Sequence, residues 1–548
     1  MKLKSFDGLG MIPIDILQQG CKKIVQYMLD LFRSPEADPL YRTKLMVVGY
    51  ENVGKTTILD CLFPLEGWLE SQGLLKKTRY WFKLQGRCLS KYEKQGDSVP
   101  HKNKVVILEN RQWEVTSLLP TSSSKGQQLY GIKLTPNKKI VKGEDEIEIY
   151  CPDKESHDIW LTRLKRVCMN EATHGIEIQS MEIDNSITQE YFSSKEKQQE
   201  GKGKGKLSMS VWDFAGQQDY YNNHHYFLST RTVFMVLWKL SEWRGSGGNG
   251  LKGLEFWFRS LATHLSSSSS PSSSSVSSGK YFSVIVVGTF LDHASVHSVE
   301  KSVRVVQVNE LARECGLKSE IEYYEVSCSS TLENIGQVQE IIFKTALSHS
   351  YMGERVPKSY LTISEYLGNE REEKKRKDEI PLVDIKGLTN QFGDEDLVKR
   401  ALGLLSLWGE CVYFDSPPEL ASLVILDPRF LAKGILADLF NHDQNTKAMR
   451  KDGVIKHADL VHIWSKFTKN STAKDFSSLA TTFMTLLEKL GVCFVVGEDK
   501  GKPFMEQRSI IPALLPDQPL NVNPVSKCSI NAGAKIHLTT EDFRLRGS

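Results

Sequence analysis

The stretch LMVVGYENVGKTTILDCLF (45–63) constrains this chain more than any other. LMVV is a short apolar run of the buried-strand kind and ends on a glycine. TTILDCLF continues with helical character. Between them, Gly49, four residues, then Gly54, Lys55 and Thr56 reproduce a phosphate-binding loop in the strand–loop–helix setting that such a loop requires. Its glycines let backbone N–H groups approach phosphate oxygens, and the helix that follows offers its positive end. The expected nucleotide contacts are therefore Gly49, Tyr50, Glu51, Asn52, Val53, Gly54, Lys55, Thr56 and Thr57. Lys55 is expected to reach the β- and γ-phosphates, and Thr56 to ligate Mg²⁺.

The parts that would complete such a site lie far downstream. In VWDFAGQQ (211–218), Asp213 at a strand end is expected in the magnesium shell. The Gly216 N–H would sense the γ-phosphate, and Gln217 would orient the attacking water. In VVGTFLDHA (286–294), a strand ends on Thr289-x-x-Asp292. Guanine carries an N1–H and a 2-amino group, and one carboxylate, here Asp292, can accept from both. Thr289 and Phe290 stand where guanine readers usually keep Asn and Lys, and Phe290 could lie against the base plane. Ser327 and Cys328 of EVSCSS would pack against the base. Thr173, in EATHGIEI, has the right place in the order of motifs to close over the metal.

What separates the phosphate loop from Thr173 reads as a module of its own. From Gly67 onward, GWLES, RYWFKL, RCLSKY, KVVILE, QWEVTSL, LYGIKL and EIEIYC are short aromatic and β-branched runs at close spacing. A helix pattern follows over 153–168. Beyond it, strands and helices alternate, which predicts a mostly parallel sheet. Residues 188–206 read as a mobile polar loop, and the serine tract 266–279 as a flexible insertion. From about 355 the pattern is mixed, with two helix–Gly–strand units ending at GECVYF and GVCFVV, so an α+β domain is expected. Before the phosphate loop, Ile16, Ile24, Met28 and Leu31 recur at helical spacing.

Length and composition set the frame. A chain of 548 residues exceeds what one core usually organises. A net charge of +3 gives no global argument for nucleic acid or membrane binding. Ten cysteines without a CxxC pair favour reduced thiols. With no secretory signal and no apolar run near 18 residues, a cytoplasmic protein is expected, one that could still sit peripherally at membranes.

Taken together, GYENVGKT, THGIEI, DFAGQQDYYNNHHYFLSTRTVFMVLW and GTFLD resemble the Roc GTPase domain of the Roco family. VPKSYLTISEYL, ALGLLSLWGECVYF, LVILDPRFLAKGI and SIIPALLP are similar to the COR domain that follows Roc there. The segment 67–169, with GWLESQG, TRYWFKL and Trp160, resembles a pleckstrin-homology (PH) β-barrel spliced into Roc. The fold class that follows is a multidomain α/β plus α+β chain. Its expected parts are a helical lead-in (1–40), Roc (41–65 and 170–350), the PH-like insert (66–169), a partial COR domain (355–520) and a tail (521–548).

The resemblance implies a slow, magnesium-dependent GTPase that switches through COR, with GTP and GDP as ligands. It also implies protein effectors and a possible homodimer through Roc and COR. Lead-in residues similar to the segment that joins leucine-rich repeats to Roc suggest such repeats upstream. No HRD or DFG signature is present, so no kinase activity is implied. In phosphoinositide-binding PH domains, basic residues of the first hairpin clasp the headgroup, and Lys76, Lys77 and Arg79 are the candidates here. Two other readings stay open: a nucleotide-binding scaffold without hydrolysis, and a membrane adaptor led by the PH-like module.

Overall fold

In the computed structural model the run LMVV lies in strand Arg42–Gly49, at the centre of a sheet and buried along nearly its whole length. The structure describes residues 12–13, 16, 20–33, 39–72, 77–109, 111–122, 127–137, 144–169, 176–184, 186–196, 206–214, 227–243, 249–266, 282–293, 296, 300–317, 321–440, 453–464, 467 and 473–515. They fall into two compact units, one of residues up to 214 with 228–359, the other of Phe227 with residues from 360 onward.

The first unit holds a six-stranded sheet in the order Ile176–Ile183, Leu207–Phe214, Arg42–Gly49, Thr232–Lys239, Phe282–Thr289, Ile321–Glu325. Only the first pair is antiparallel. The central strands are continuous apolar runs because both faces of the sheet are covered. Helices Lys55–Leu62, Ser186–Glu196 and Ile335–Ser348 contribute Ile58, Leu62, Phe192, Val338 and Ile342 to a core shared with Leu45, Val211, Met235 and Ile285. Helix Asn249–Ser266 packs against the strands through its own buried Leu254, Trp257, Phe258 and Leu261. A bidentate ion pair is buried in this unit: Arg231 donates to both Glu354 oxygens, at 2.8 and 3.1 Å.

One expectation needs correction here. Residues 188–196, expected within a mobile loop, belong to helix Ser186–Glu196, because Phe192 and Tyr191 pack edge-on against Tyr41, at 4.7 and 6.2 Å between ring centres. In helix Cys21–Arg33 the buried side chains are Tyr27 and Asp30, whereas Met28 is half exposed. The Tyr27 hydroxyl donates to the Arg355 carbonyl at 2.8 Å, and that bond orients the helix.

Between helix Lys55–Leu62 and strand Ile176–Ile183 lies an antiparallel sheet of eight strands, ordered Val105–Ile107, Cys88–Tyr92, Lys77–Gln85, Leu65–Gln72, Ile147–Cys151, Gln128–Pro136, Trp113–Ser117, with Thr121–Ser122 beside Gln128–Pro136. All seven β runs expected from the sequence contribute to it. It is a half-barrel, where a PH-like β-barrel was expected. Where its end strands approach, the Trp113 indole N–H donates to the Ile107 carbonyl at 3.1 Å, and no strand ladder joins them. Helix Lys154–Met169 covers the sheet with Trp160, Leu164 and Cys168, over a core of Leu69, Phe82, Leu134 and Ile149.

The second unit is α+β. Helix Glu395–Trp408 begins at Asp394, whose side chain accepts from the Leu397 N–H, and ends on left-handed Gly409 before strand Val412–Tyr413. Helix Ala473–Lys489 repeats the design, with Gly491 at φ +71° before strand Phe494–Val495. Each strand joins a three-stranded antiparallel sheet. No helix among the described residues is long and apolar enough to cross a membrane. The nine cysteines among them form no disulfide.

Candidate functional site

The phosphate-loop sequence forms a tight turn from strand Arg42–Gly49 into helix Lys55–Leu62. A Cβ at position 49 would stand 2.6 Å from the Leu237 carbonyl oxygen, so only glycine fits against that neighbouring strand. Gly54 caps the helix at φ +85°. Asn52 is also left-handed, at φ +60°. Lys55 is only 7% exposed, and its ammonium donates to the carbonyls of Gly49 (2.9 Å) and Tyr50 (2.7 Å). Burial pushes its amine down to about 8, against the pull of Asp213 and Glu51. The Tyr50 ring lies against Gly253 of helix Asn249–Ser266, while Glu51 is exposed and Val53 buried. Thr57 is half-buried in the first turn of the helix.

Thr56 meets Asp213 across the sheet. Its hydroxyl donates to Asp213 Oδ2 at 2.6 Å, and Asp213 is buried near the end of strand Leu207–Phe214. A hydroxyl and a carboxylate converging on one point make an all-oxygen donor set, which fits a hard divalent cation such as Mg²⁺. Among the described residues there is no cluster of three or more His, Cys, Asp or Glu of the sort that holds a metal alone.

The strand Phe282–Thr289 brings the second group of residues to the same edge. Thr289 is buried, and its hydroxyl lies 2.8 Å from the Val53 carbonyl and 3.2 Å from that of Trp238. It ties the phosphate loop to the sheet. Phe290 follows at φ +62°, a conformation rare for a bulky residue and often found where function fixes the backbone. Its ring comes within 4.0 Å of the Cβ position of Gly54, with the Lys239 ammonium 5.1 Å from its centre. Asp292 is exposed, and its Oδ1 accepts from the buried Ser327 hydroxyl at 2.9 Å. Cys328, half-buried, packs against the core that includes Cys61 of helix Lys55–Leu62.

The structure thus brings Gly49 to Thr57, Asp213, Thr289, Asp292, Ser327 and Cys328 to one end of one sheet. Thr173, Gly216, Gln217 and Lys76 lie outside the described residues. Lys77 and Arg79 sit on the half-barrel, engaged within it. Lys77 donates to the Thr121 hydroxyl at 2.7 Å and lies 3.7 Å from the Tyr150 ring centre; the Arg79 guanidinium is 5.2 Å from that of Trp68.

Sequence reading missed Asp60, Arg163, Arg166 and Glu177, which meet beside the Thr56–Asp213 contact. The four-residue step from Thr56 to Asp60 and the three-residue step from Arg163 to Arg166 were the available signals, since each places two side chains on one helix face. It also missed the Thr289 tether. A Thr289→Val substitution keeps the shape and leaves the Val53 carbonyl without this donor. It is expected to cost about 1–2 kcal/mol in urea unfolding. Where that cost falls on the loop, GDP affinity drops up to about tenfold, and a fluorescence titration measures it.

Residues 64–169 match the PH domain family. Residues 161–271 match the family described as Ras of Complex, Roc, domain of DAPkinase, and 357–515 match C-terminal of Roc, COR-A domain. By these ranges PH precedes Roc and does not lie inside it, which corrects the expected insertion. The strand Arg42–Gly49, ahead of the PH range, still pairs with strands Leu207–Phe214 and Thr232–Lys239 of the Roc range.

Among curated relatives, the chain is 25% identical to Probable serine/threonine-protein kinase pats1 of Dictyostelium discoideum, over 92% of this chain and 12% of that protein. It is 23% identical to Probable serine/threonine-protein kinase roco5 of the same organism, over 84% and 13%. It is 23% identical to Leucine-rich repeat serine/threonine-protein kinase 1 of Caenorhabditis elegans, over 58% and 12%. The chain therefore spans about an eighth of the length of these relatives. The solved structure of Methanosarcina barkeri Roco2 RocCORdC bound to GDP overlaps 88% of this chain and 98% of its own, at 15% identity and a TM-score of 0.46. With PH, Roc and COR-A domains in that order, the chain belongs to the Roco family.

Proposed function

We propose that the Roc domain binds GTP and GDP and hydrolyses GTP slowly with Mg²⁺, as a switch read by COR-A. The observation that carries this reading is the buried Lys55 over the Gly49–Gly54 turn, one residue from the Thr56–Asp213 contact. Burying an ammonium against two carbonyls is unfavourable on its own, and a phosphate chain is the ligand it suits. Lys55 holds the β- and γ-phosphates and stabilises the charge that develops as the phosphoanhydride breaks. Thr56 and Thr173, with Asp213 through water, would hold Mg²⁺, which would draw charge from the phosphate oxygens. Gln217 orients the attacking water and the Gly216 N–H reads the γ-phosphate. On the base side Asp292, steadied by Ser327, accepts from guanine, and Phe290 lies along the ring. Protein effectors and a second copy of the chain are the partners this reading implies.

Exchange of labelled GTP, GDP and ATP on the full chain tests it. Wild type is expected to bind both guanine nucleotides and to reject ATP. Single-turnover hydrolysis then separates an enzyme from a scaffold. Gln217→Leu should lower the rate at least about tenfold while GTP binding persists. Equally negligible rates in wild type and variant, with tight GTP binding, favour the scaffold. Because Lys77 and Arg79 are engaged within the half-barrel, little pelleting with phosphoinositide vesicles is expected, and Lys77→Glu/Arg79→Glu should not change it.

A further inference from the structure

We propose that Arg166, from the last helix of the PH domain, is a positioning residue for the magnesium side of the Roc nucleotide site. The inference rests on the nucleotide reading above. It starts from a closed circuit of contacts. Thr56 donates to Asp213 at 2.6 Å. Asp213 stands directly opposite Glu177 in the antiparallel pair of strands Ile176–Ile183 and Leu207–Phe214. Glu177 accepts from Arg166 Nη1 at 3.2 Å. The other end of the same guanidinium donates to Asp60, which Arg163 also reaches at 2.5 Å. Asp60 lies one helical turn after Thr56 on the same helix face, and that turn closes the circuit.

The circuit rims a narrow cleft whose walls include Thr56, Asp60, Arg163, Arg166, Glu177 and Asp213. Asp60 and both guanidiniums are largely buried, with side-chain exposures of 7, 13 and 17%. Arg163 touches one partner of the circuit, whereas Arg166 bridges two. Its rigid planar fork, with donors at both ends, is pre-organised to hold a carboxylate on a helix and another on a strand at a fixed spacing, which a single flexible ammonium is not. Arg166 therefore sets how far the Thr56 helix stands from the strand pair that carries Asp213. Through that spacing the PH domain governs whether two oxygen donors converge on a cation.

The test uses the full chain and fluorescent GDP, with and without chelator. Arg166→Gln is expected to leave magnesium-free GDP affinity within about twofold. The Mg²⁺ concentration that half-saturates the GDP complex should rise about tenfold. Glu177→Gln should produce a similar rise, and the double variant no more than either alone. Arg166→Lys keeps the charge and loses the fork. It should hold the melting temperature near wild type and still show the Mg²⁺ shift, which separates positioning from stability and decides the matter if Arg166→Gln fails to fold. A half-saturation within twofold of wild type in a folded Arg166 variant, or additive single shifts, overturns the proposal. A wild-type chain that binds no guanine nucleotide overturns the nucleotide reading and this inference with it.

Discussion

Replacing Lys55 with Met is expected to remove measurable nucleotide binding while leaving the free protein folded and no less stable at neutral pH. Each charge-assisted bond from the ammonium to a phosphate oxygen contributes about 1.5–3 kcal/mol, so the loss is about a hundredfold in affinity or more. The stability side follows from burial. The amine is driven from its ordinary value down to about 8 because it loses water, with Asp213 and Glu51 pulling the other way. The unfolded chain therefore binds more protons than the folded one between about pH 8 and 10.5. Below pH 8 the charged, buried amine weighs against folding by about 3 kcal/mol. That penalty fades as the pH rises through the window. Wild type should thus gain stability relative to Lys55→Met as the pH is raised from 8 towards 10, seen in urea midpoints without nucleotide. A Lys55→Met protein that keeps GDP affinity within tenfold refutes the phosphate role.

Arg304→Met is expected to produce the largest loss of stability, about 3–5 kcal/mol. Arg304 donates from Nε and Nη2 to the two Glu325 oxygens, at 2.7 and 2.8 Å, and both side chains are about 95% or more buried. Removing the guanidinium strands a carboxylate in the interior with only the Tyr323 hydroxyl for company from this network. Glu325 also ends the strand that leads into Ser327, and its carbonyl accepts from Asn334. The substitution should therefore weaken GDP as well, through the loop that steadies Asp292. Pairing it with Glu325→Leu should restore much of the stability, because the burial cost leaves with the charge. Denaturant midpoints of the two variants, read together with GDP titrations, check both parts.

The phosphate loop was legible because its demands are local: a strand, two glycines, a lysine and a helix within twenty residues. The half-barrel strands were legible for the same reason, since alternation and aromatic runs mark each one separately. The contacts that join distant elements were not. The spacing in KTTILDCL sets Thr56 and Asp60 on one helix face but does not say that Asp60 will meet Arg163 and Arg166, and nothing in IEYYE predicts that Glu325 will hold Arg304. Helix Ser186–Glu196 was misread because polar composition outweighed two aromatic residues whose partner, Tyr41, lies far upstream. Thr289 stood in a familiar slot, but its bond to the phosphate-loop backbone is a property of the folded sheet.

The middle strand Arg42–Gly49 has a consequence for how the chain is made. Leu45 pairs with Val211 on one side and Val233 on the other, and both are synthesised long after it. On the ribosome this strand must wait, apolar and unpaired, while everything between emerges. Among the described residues, the half-barrel core is built from the stretch between Leu65 and Cys168. It can close during that interval, draw the two flanking segments together and lower the entropy of the final pairing. Variants that weaken the half-barrel core should therefore show up first as aggregation during synthesis, before any loss of the finished sheet.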